Sequence, residues 1–196
     1  EVDGIRDAQE SRGLGYVYKR QIAGSTLVLF FSDTGGAAHM RCDPLRGKKG
    51  TVWEGGHRVP AIAWWPGMIE PDQDPLDIIQ ITDFFTTIAS ITGAMDSIPT
   101  DRVIDGIDQS GLLLLGEGKG RREYVFHYNR ANLEVVRKNQ IKLNLKPTNP
   151  DFHCFEVYNL YHDPAERFPN EAQNGIWAGP GITKMIQEHM IQIKEY

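Results

Sequence analysis

Leu27–Gly36, LVLFFSDTGG, with Pro44–Pro60, PLRGKKGTVWEGGHRVP, and Ala61–Pro66, AIAWWP, is the stretch that decides the fold of this chain. Thr26–Phe31 is a continuous apolar run with β-branched and aromatic residues, the pattern of a strand buried on both faces. Ser32–Gly36 ends it with turn chemistry. Ala37–Val59 then reads as a long loop, and a loop of that length inside a compact domain is usually functional. Ala61–Trp65 predicts a second short strand, stopped by Pro66-Gly67.

Beyond this stretch the pattern alternates and then changes. Asp77–Gly93 predicts a helix, with Thr82 or Asp83 as cap, Phe84, Phe85, Ile88 and Ile91 as the apolar stripe, and Gly93 as the stop. Leu112–Leu115 runs into Gly-Glu-Gly-Lys-Gly, a hinge signal. From Glu123 onward, Tyr124–Tyr128, Leu133–Arg137, Ile141–Leu145 and Phe155–Leu160 are short strand-like runs parted by turn residues, which predicts a small antiparallel sheet. Ile182–Ile193 predicts a closing amphipathic helix. The fold class that follows is α/β with an appended antiparallel subdomain. Residues 22–120 would form the α/β part and residues 121–196 the small subdomain with its terminal helix.

Composition excludes some functions. The chain has 196 residues, 40% hydrophobic and 24% charged, as in a soluble globular protein. A net charge of −5 gives no bulk attraction to nucleic acid. No apolar run reaches the length of a membrane span, and the charged Glu1–Arg12 has no apolar core of a signal peptide. Cys42 and Cys154 are the only cysteines, too few for a disulfide framework or a four-cysteine zinc site. They leave the redox compartment open, and nothing in the sequence bears on oligomeric state.

Two features carry chemistry. Asp33 stands at the C-terminal end of the first strand, the edge where open α/β sheets place ligands. Its carboxylate suits calcium or magnesium, and Gly35 and Gly36 allow a close backbone approach. In the loop, Arg41, Arg46, Lys48, Lys49 and Arg58 concentrate positive charge in an acidic chain. A lysine between glycines presents its ammonium to a tetrahedral anion as a point charge. A turn-capping Asp and a solvated basic loop are the plainer readings of each feature alone; their co-occurrence favours a site. His39 and His57 are candidates to contact substrate. Glu54 and Arg58, four apart, are expected to pair and hold the loop's shape. Trp53, Trp64 and Trp65 are expected to pack.

The order SDTGG, PLRGKKGTVWEGGHRVP, AWWPG, then TDFFTTIASITG at Thr82–Gly93, DGID at Asp105–Asp108 and YNLYHDPAERF at Tyr158–Phe168 resembles the type I sulfatases. AWWPG and DPAERFP resemble most the arylsulfatase A and N-acetylgalactosamine-6-sulfatase branch. The resemblance covers Ile22–Asn170. It implies an alkaline-phosphatase-like fold, a calcium ion (magnesium less so), and a formylglycine nucleophile. It further implies a sulfated small molecule or glycan as partner, and a periplasmic, secreted or lysosome-like location. Asp33 falls on a metal-ligating Asp. Thr34 falls where the family has a ligating Asn, which puts the metal's affinity in question. Lys49 falls on the sulfate-binding lysine, and Lys48 replaces a family glycine.

The family's metal-binding aspartate pair and its Cys-x-Pro-Ser-Arg nucleophile motif do not occur in these residues. Cys42-Asp43-Pro44-Leu45-Arg46 copies the motif's core but lies out of place, after SDTGG. The resemblance therefore implies the C-terminal part of a sulfatase. Two other readings stand beside it: a phosphatase or phosphonate hydrolase of the same superfamily, and an inactive protein that binds sulfated glycans. Gly15–Gln21, GYVYKRQ, breaks the preceding helical pattern and is similar to translated adapter sequence, so residues 1–21 are expected to be partly chimeric.

Overall fold

A computed structural model of the protein describes residues 15, 21–37, 39–116, 118–146, 155–169, 181 and 183–191. The expectations for residues 1–14 and 16–20, and for Cys154, lie outside them. The described residues fall into two compact units. The first holds those up to Asp33 together with Pro60–Arg122; the second holds Thr34–Val59 and those from Glu123 onward.

In the first unit, β1 (Val28–Phe31) pairs antiparallel with β2 (Ala61–Trp64), in a register that sets Phe30 opposite Ile62. The expected burial on both faces is not observed. Phe30 is 66% exposed and Ile62 62%, because β2 is the only strand that β1 pairs with among the described residues. Phe31, on the other face, stacks on Phe84 with ring centroids 4.7 Å apart.

Helix α2 (Asp83–Ile91) is shorter than the expected Asp77–Gly93. Asp83 explains the start: its Oδ2 accepts a hydrogen bond from the Gln80 amide at 2.8 Å, which turns the backbone into the first helical residue. Ile78 bridges to Arg122 instead of continuing the helix. Gly93, at φ 69°, ends the helix as expected, and the Ala94 amide reaches back to the Ala89 carbonyl at 2.7 Å.

The buried face of α2 also differs from the expectation. Asp83, Thr86, Thr87 and Ala89 are buried, while Phe85 and Ile88 are exposed. The polar face wins because it binds the backbone of the DGID segment. Asp83 accepts from the Ile107 amide at 2.8 Å, and Thr87 Oγ1 accepts from the Gln109 amide at 2.9 Å. The Ser90 hydroxyl donates to Asp108 at 3.1 Å. A short helix, α3 (Ser110–Leu115), follows this segment and ends at Gly116, the first residue of the glycine run read as a hinge.

The second unit contains the predicted antiparallel sheet. Strands β3 (Tyr124–Asn129), β4 (Asn132–Lys138), β5 (Ile141–Asn144) and β6 (Glu156–Asn159) form a meander in chain order. Left-handed Arg130 and Asn139 make the first two turns. The sheet has two unlike faces. Phe126, Val136, Leu143 and Val157 lie in register across the four strands. Met185 and Ile186 of α4, residues 183–191, pack against Leu143 and Val157. On the opposite face, Arg137, Lys142 and Tyr158 lie in register on three adjacent strands, as the period-2 alternation requires. That polar face carries the site described next.

Candidate functional site

The loop Gly35–Val59 is a compact arrangement of backbone. The Gly35 amide donates to the Gly56 carbonyl at 3.1 Å, the Gly55 amide to the Arg46 carbonyl at 2.7 Å, and the Lys49 amide to the Gly36 carbonyl at 2.9 Å. Thr51 Oγ1 closes the turn, accepting from the Lys48 amide and donating to the Lys48 carbonyl at 2.8 Å. Glycine is required where these segments cross. A Cβ on Gly55 would lie 2.6 Å from the Arg46 carbonyl oxygen, and one on Gly35 would meet the Gly55 carbonyl. Lys48, Lys49 and His39 are exposed on this frame.

Beneath the loop sits a buried ion network that sequence reading did not find. One-turn helix α1 (Glu54–His57) begins with Glu54, 1% exposed. Its carboxylate lies 3.0 Å from Arg137 Nη1 and 3.1 Å from Lys142 Nζ. Lys142 Nζ is also 2.7 Å from Glu166 Oε1, and Glu166 Oε2 accepts the Glu54 amide at 2.7 Å. Lys142 and Glu166 are fully buried. Two carboxylates and two cations balance one another, as buried charges must. Burial pushes the Glu166 carboxyl above the usual range, and Lys142 opposes that shift.

The expected Glu54–Arg58 ion pair is replaced by this network; the Arg58 amide donates to the Glu54 carbonyl instead. The loop's near end is held by Arg46. Its guanidinium stacks 3.7 Å over the Trp53 ring and donates to the Glu166 carbonyl at 3.1 Å. Trp53 in turn meets Tyr158 edge-on, so it packs as expected. Trp65 Nε1 donates to the Gly24 carbonyl in the first unit.

His57 ends α1 with its ring 4.3 Å from that of His127 on β3. Burial, His57, Lys142 and Arg137 push His127 down to about 3. Partial burial and then Lys142 also lower His57. Both rings are therefore neutral at physiological pH.

The arrangement is an exposed cationic loop on a rigid frame, with motif segments Pro44–Pro60 and Tyr158–Phe168 brought together. The Sulfatase family model matches residues 13–94. Mouse (Mus musculus) N-acetylgalactosamine-6-sulfatase is 33% identical over 227 residues, covering 95% of this chain and 42% of that protein.

The chain belongs to the sulfatase family.

Rat (Rattus norvegicus) steryl-sulfatase is 40% identical over 128 residues, covering 60% of this chain and 22% of that protein. The crystal structure of the PsFucS1 sulfatase from Pseudoalteromonas sp. matches with a TM-score of 0.83 at 30% identity, over 95% of this chain and 41% of that one. The α/β expectation stands on that likeness. This sulfatase chain thus spans 42% of the length of the curated N-acetylgalactosamine-6-sulfatase it matches.

Among the described residues, no group of three His, Cys, Asp or Glu side chains could hold a metal ion. Asp33 is exposed just after β1, and the Thr34 hydroxyl donates to the Gly35 carbonyl at 3.3 Å. Oxygen donors of this kind suit a hard cation, but calcium takes about six to eight of them. Asp33 and Thr34 fit that chemistry as at most a minor part of a ligand set. No helix among the described residues is long and apolar enough to cross a membrane.

Proposed function

We propose that this chain is part of a sulfuric ester hydrolase acting on a sulfated carbohydrate or aryl sulfate. The observation that carries the proposal is the glycine frame, clamped from below by Glu54, Lys142 and Glu166, that holds the backbone of Lys49 in one geometry. A lysine whose backbone is held in this way offers its ammonium to a sulfuryl group with less reorganisation as charge grows there. Lys49 is the sulfate-binding residue in this reading, with His39 and His57 as further substrate contacts. Asp33, with the weaker donor Thr34, contributes to a calcium site; magnesium is the lesser alternative. When present, the metal polarises a sulfate oxygen and the formylglycine hydrate supplies the nucleophile.

Sulfated carbohydrate is the favoured class in this reading, since mouse N-acetylgalactosamine-6-sulfatase aligns over 95% of the chain, against 83% for human and 60% for rat steryl-sulfatase. A periplasmic, secreted or lysosome-like location accompanies this reading.

The test is turnover of an aryl sulfate and a 6-sulfated amino sugar by the full-length protein. Lys49→Ala is expected to lower kcat/KM by roughly a hundredfold or more with the melting temperature unchanged. Unchanged kinetics would sink the assignment. Thr34, in place of the family's Asn, favours one second reading: a phosphate ester hydrolase of the same superfamily. Faster turnover of the matching aryl phosphate would select it. Sulfated-glycan binding without turnover would mark an inactive binding protein.

A further inference from the structure

We infer that Lys142 is a positioning residue for sulfate recognition: from the floor of the site it sets the geometry of the Lys49 loop without touching the substrate. The inference rests on the reading of Lys49 as the sulfate-binding residue. It names a residue that neither the motifs nor the loop's own sequence point to.

The chain of contacts is short, and each link lies in the second unit. Lys142 Nζ bridges Glu54 Oε1 at 3.1 Å and Glu166 Oε1 at 2.7 Å. Glu166 accepts the Glu54 amide, which fixes the first residue of α1 at both side chain and backbone. Gly55 and Gly56 follow directly. Gly55 binds the Arg46 carbonyl, and Gly56 accepts from Gly35. Gly36, next in sequence, accepts the Lys49 amide.

Each of these links is a backbone hydrogen bond between closely approaching glycine segments, so a shift of Glu54 is passed on through backbone. Cβ atoms on Gly35, Gly55 and Gly56 would all collide with backbone. Close-packed backbone transmits displacement rather than damping it.

Among the described residues, Lys142 is also the one cation within salt-bridge distance of both carboxylates of the network. Arg137, on the neighbouring strand, contacts Glu54 and feels Glu166 at longer range. Removing the Lys142 charge leaves Glu166 facing Glu54 with a buried excess of negative charge. The two carboxylates then separate, and α1 moves with Glu54.

The experiment is a double-mutant cycle in the full-length protein, reading kcat, KM and competitive inhibition by inorganic sulfate. Lys142→Met keeps most of the length of the side chain and removes its charge. It is expected to weaken sulfate inhibition and raise KM by about tenfold or more, since a displacement of about 1 Å can cost on the order of a hundredfold. Lys142→Arg is expected to restore most of the loss. Combined with Lys49→Ala, Lys142→Met is expected to add almost nothing, because residues acting through one contact are non-additive.

Fully additive losses, or unchanged sulfate inhibition in Lys142→Met, would overturn the inference while leaving Lys49 in its role. If Lys49→Ala itself changes nothing, both readings fall together. Should Lys142→Met fail to fold, Lys142→Met with Glu166→Gln removes both charges and leaves the Glu54–Arg137 pair balanced; with the bridge gone but no repulsion left, it is expected to fold and to show a smaller loss of sulfate affinity, and no loss at all would overturn the inference. Amide hydrogen exchange of the unmodified protein needs no variant. The Lys49 and Gly55 amides are expected to open together at one rate, and a fast Lys49 amide beside a slow Gly55 amide would refute the coupling.

Discussion

The rings of His57 and His127 lie 4.3 Å apart and tilted by 54°, one at the end of α1 and one on β3. Their closeness has a pH consequence. His127 is held at about 3 when folded, below the ordinary value of 6.5. The unfolded chain therefore binds more protons than the folded one between those values, and stability falls as pH drops through that window. The slope is on the order of 1 kcal/mol per pH unit for such a group. Denaturant melts across the window are expected to show this acid limb, with His57 adding to it in the same direction. In His127→Asn the limb should flatten; an unchanged limb would assign the acid sensitivity elsewhere.

Asp83 and Arg122 form the corresponding clasp of the first unit. The Asp83 carboxylate is fully buried, accepts from the Gln80 and Ile107 amides, and lies 2.8 Å from Arg122 Nε. Arg122→Ala leaves that carboxylate without its cation. Breaking a buried pair from one side costs about 3–5 kcal/mol, so a melting temperature lowered by many degrees is expected. A drop within error would mean that the two amides alone satisfy Asp83.

Gly35→Ala tests the frame rather than the charges. The added methyl meets the Gly55 carbonyl group, whose carbon lies 2.8 Å from the Cβ position. Overpacking against backbone is expected to cost at least about 2 kcal/mol and to weaken sulfate binding together with stability. Gly50→Ala is the control. Unlike Gly35 it has a left-handed φ, 86°, and no atom lies within 4 Å of its Cβ position. It should lose stability from backbone strain while the crossing segments stay in place.

The β1–β2 ladder predicts the solution behaviour of the isolated chain. Phe30 and Ile62 face each other in register, 66% and 62% exposed, with Trp64 39% exposed beside them. Exposed apolar ladders of this kind self-associate. Light scattering of the chain alone is expected to show concentration-dependent association, reduced in Phe30→Thr with Ile62→Thr. Scattering that the double substitution does not change would place the association on another surface.

What was legible in the residues follows a physical pattern. The four-strand meander could be read because each strand declares itself within about six residues through alternation and turn chemistry. The Gly93 stop could be read for the same local reason. The loop's glycines could be read as points of close backbone approach, and Gly35, Gly55 and Gly56 stand where backbone crosses backbone. Of the local readings that went astray, two show why. Helix α2 has an apolar stripe on paper, yet it buries Asp83, Thr86 and Thr87, since the DGID backbone offers them better partners than a hydrophobic surface would. Glu54 was expected to pair with Arg58 one turn away, but it found Arg137 and Lys142 more than eighty residues on.

By itself the sequence determined the four strands of the second unit's meander, the acidic balance and the membership of the sulfatase family, but not helix α1 within the loop. All of these depend on residues near one another in the chain or on the order of short motifs. Only the tertiary structure decided which charges meet. Lys142 sits in an apolar-looking strand, Ile141–Leu143 being Ile-Lys-Leu, and nothing in that run says that Leu143 meets α4 while Lys142 meets two carboxylates. A partner's identity depends on segments separated by 88 and 112 residues arriving at one place. No local propensity encodes that arrival, and so the floor of the site became visible only in the fold.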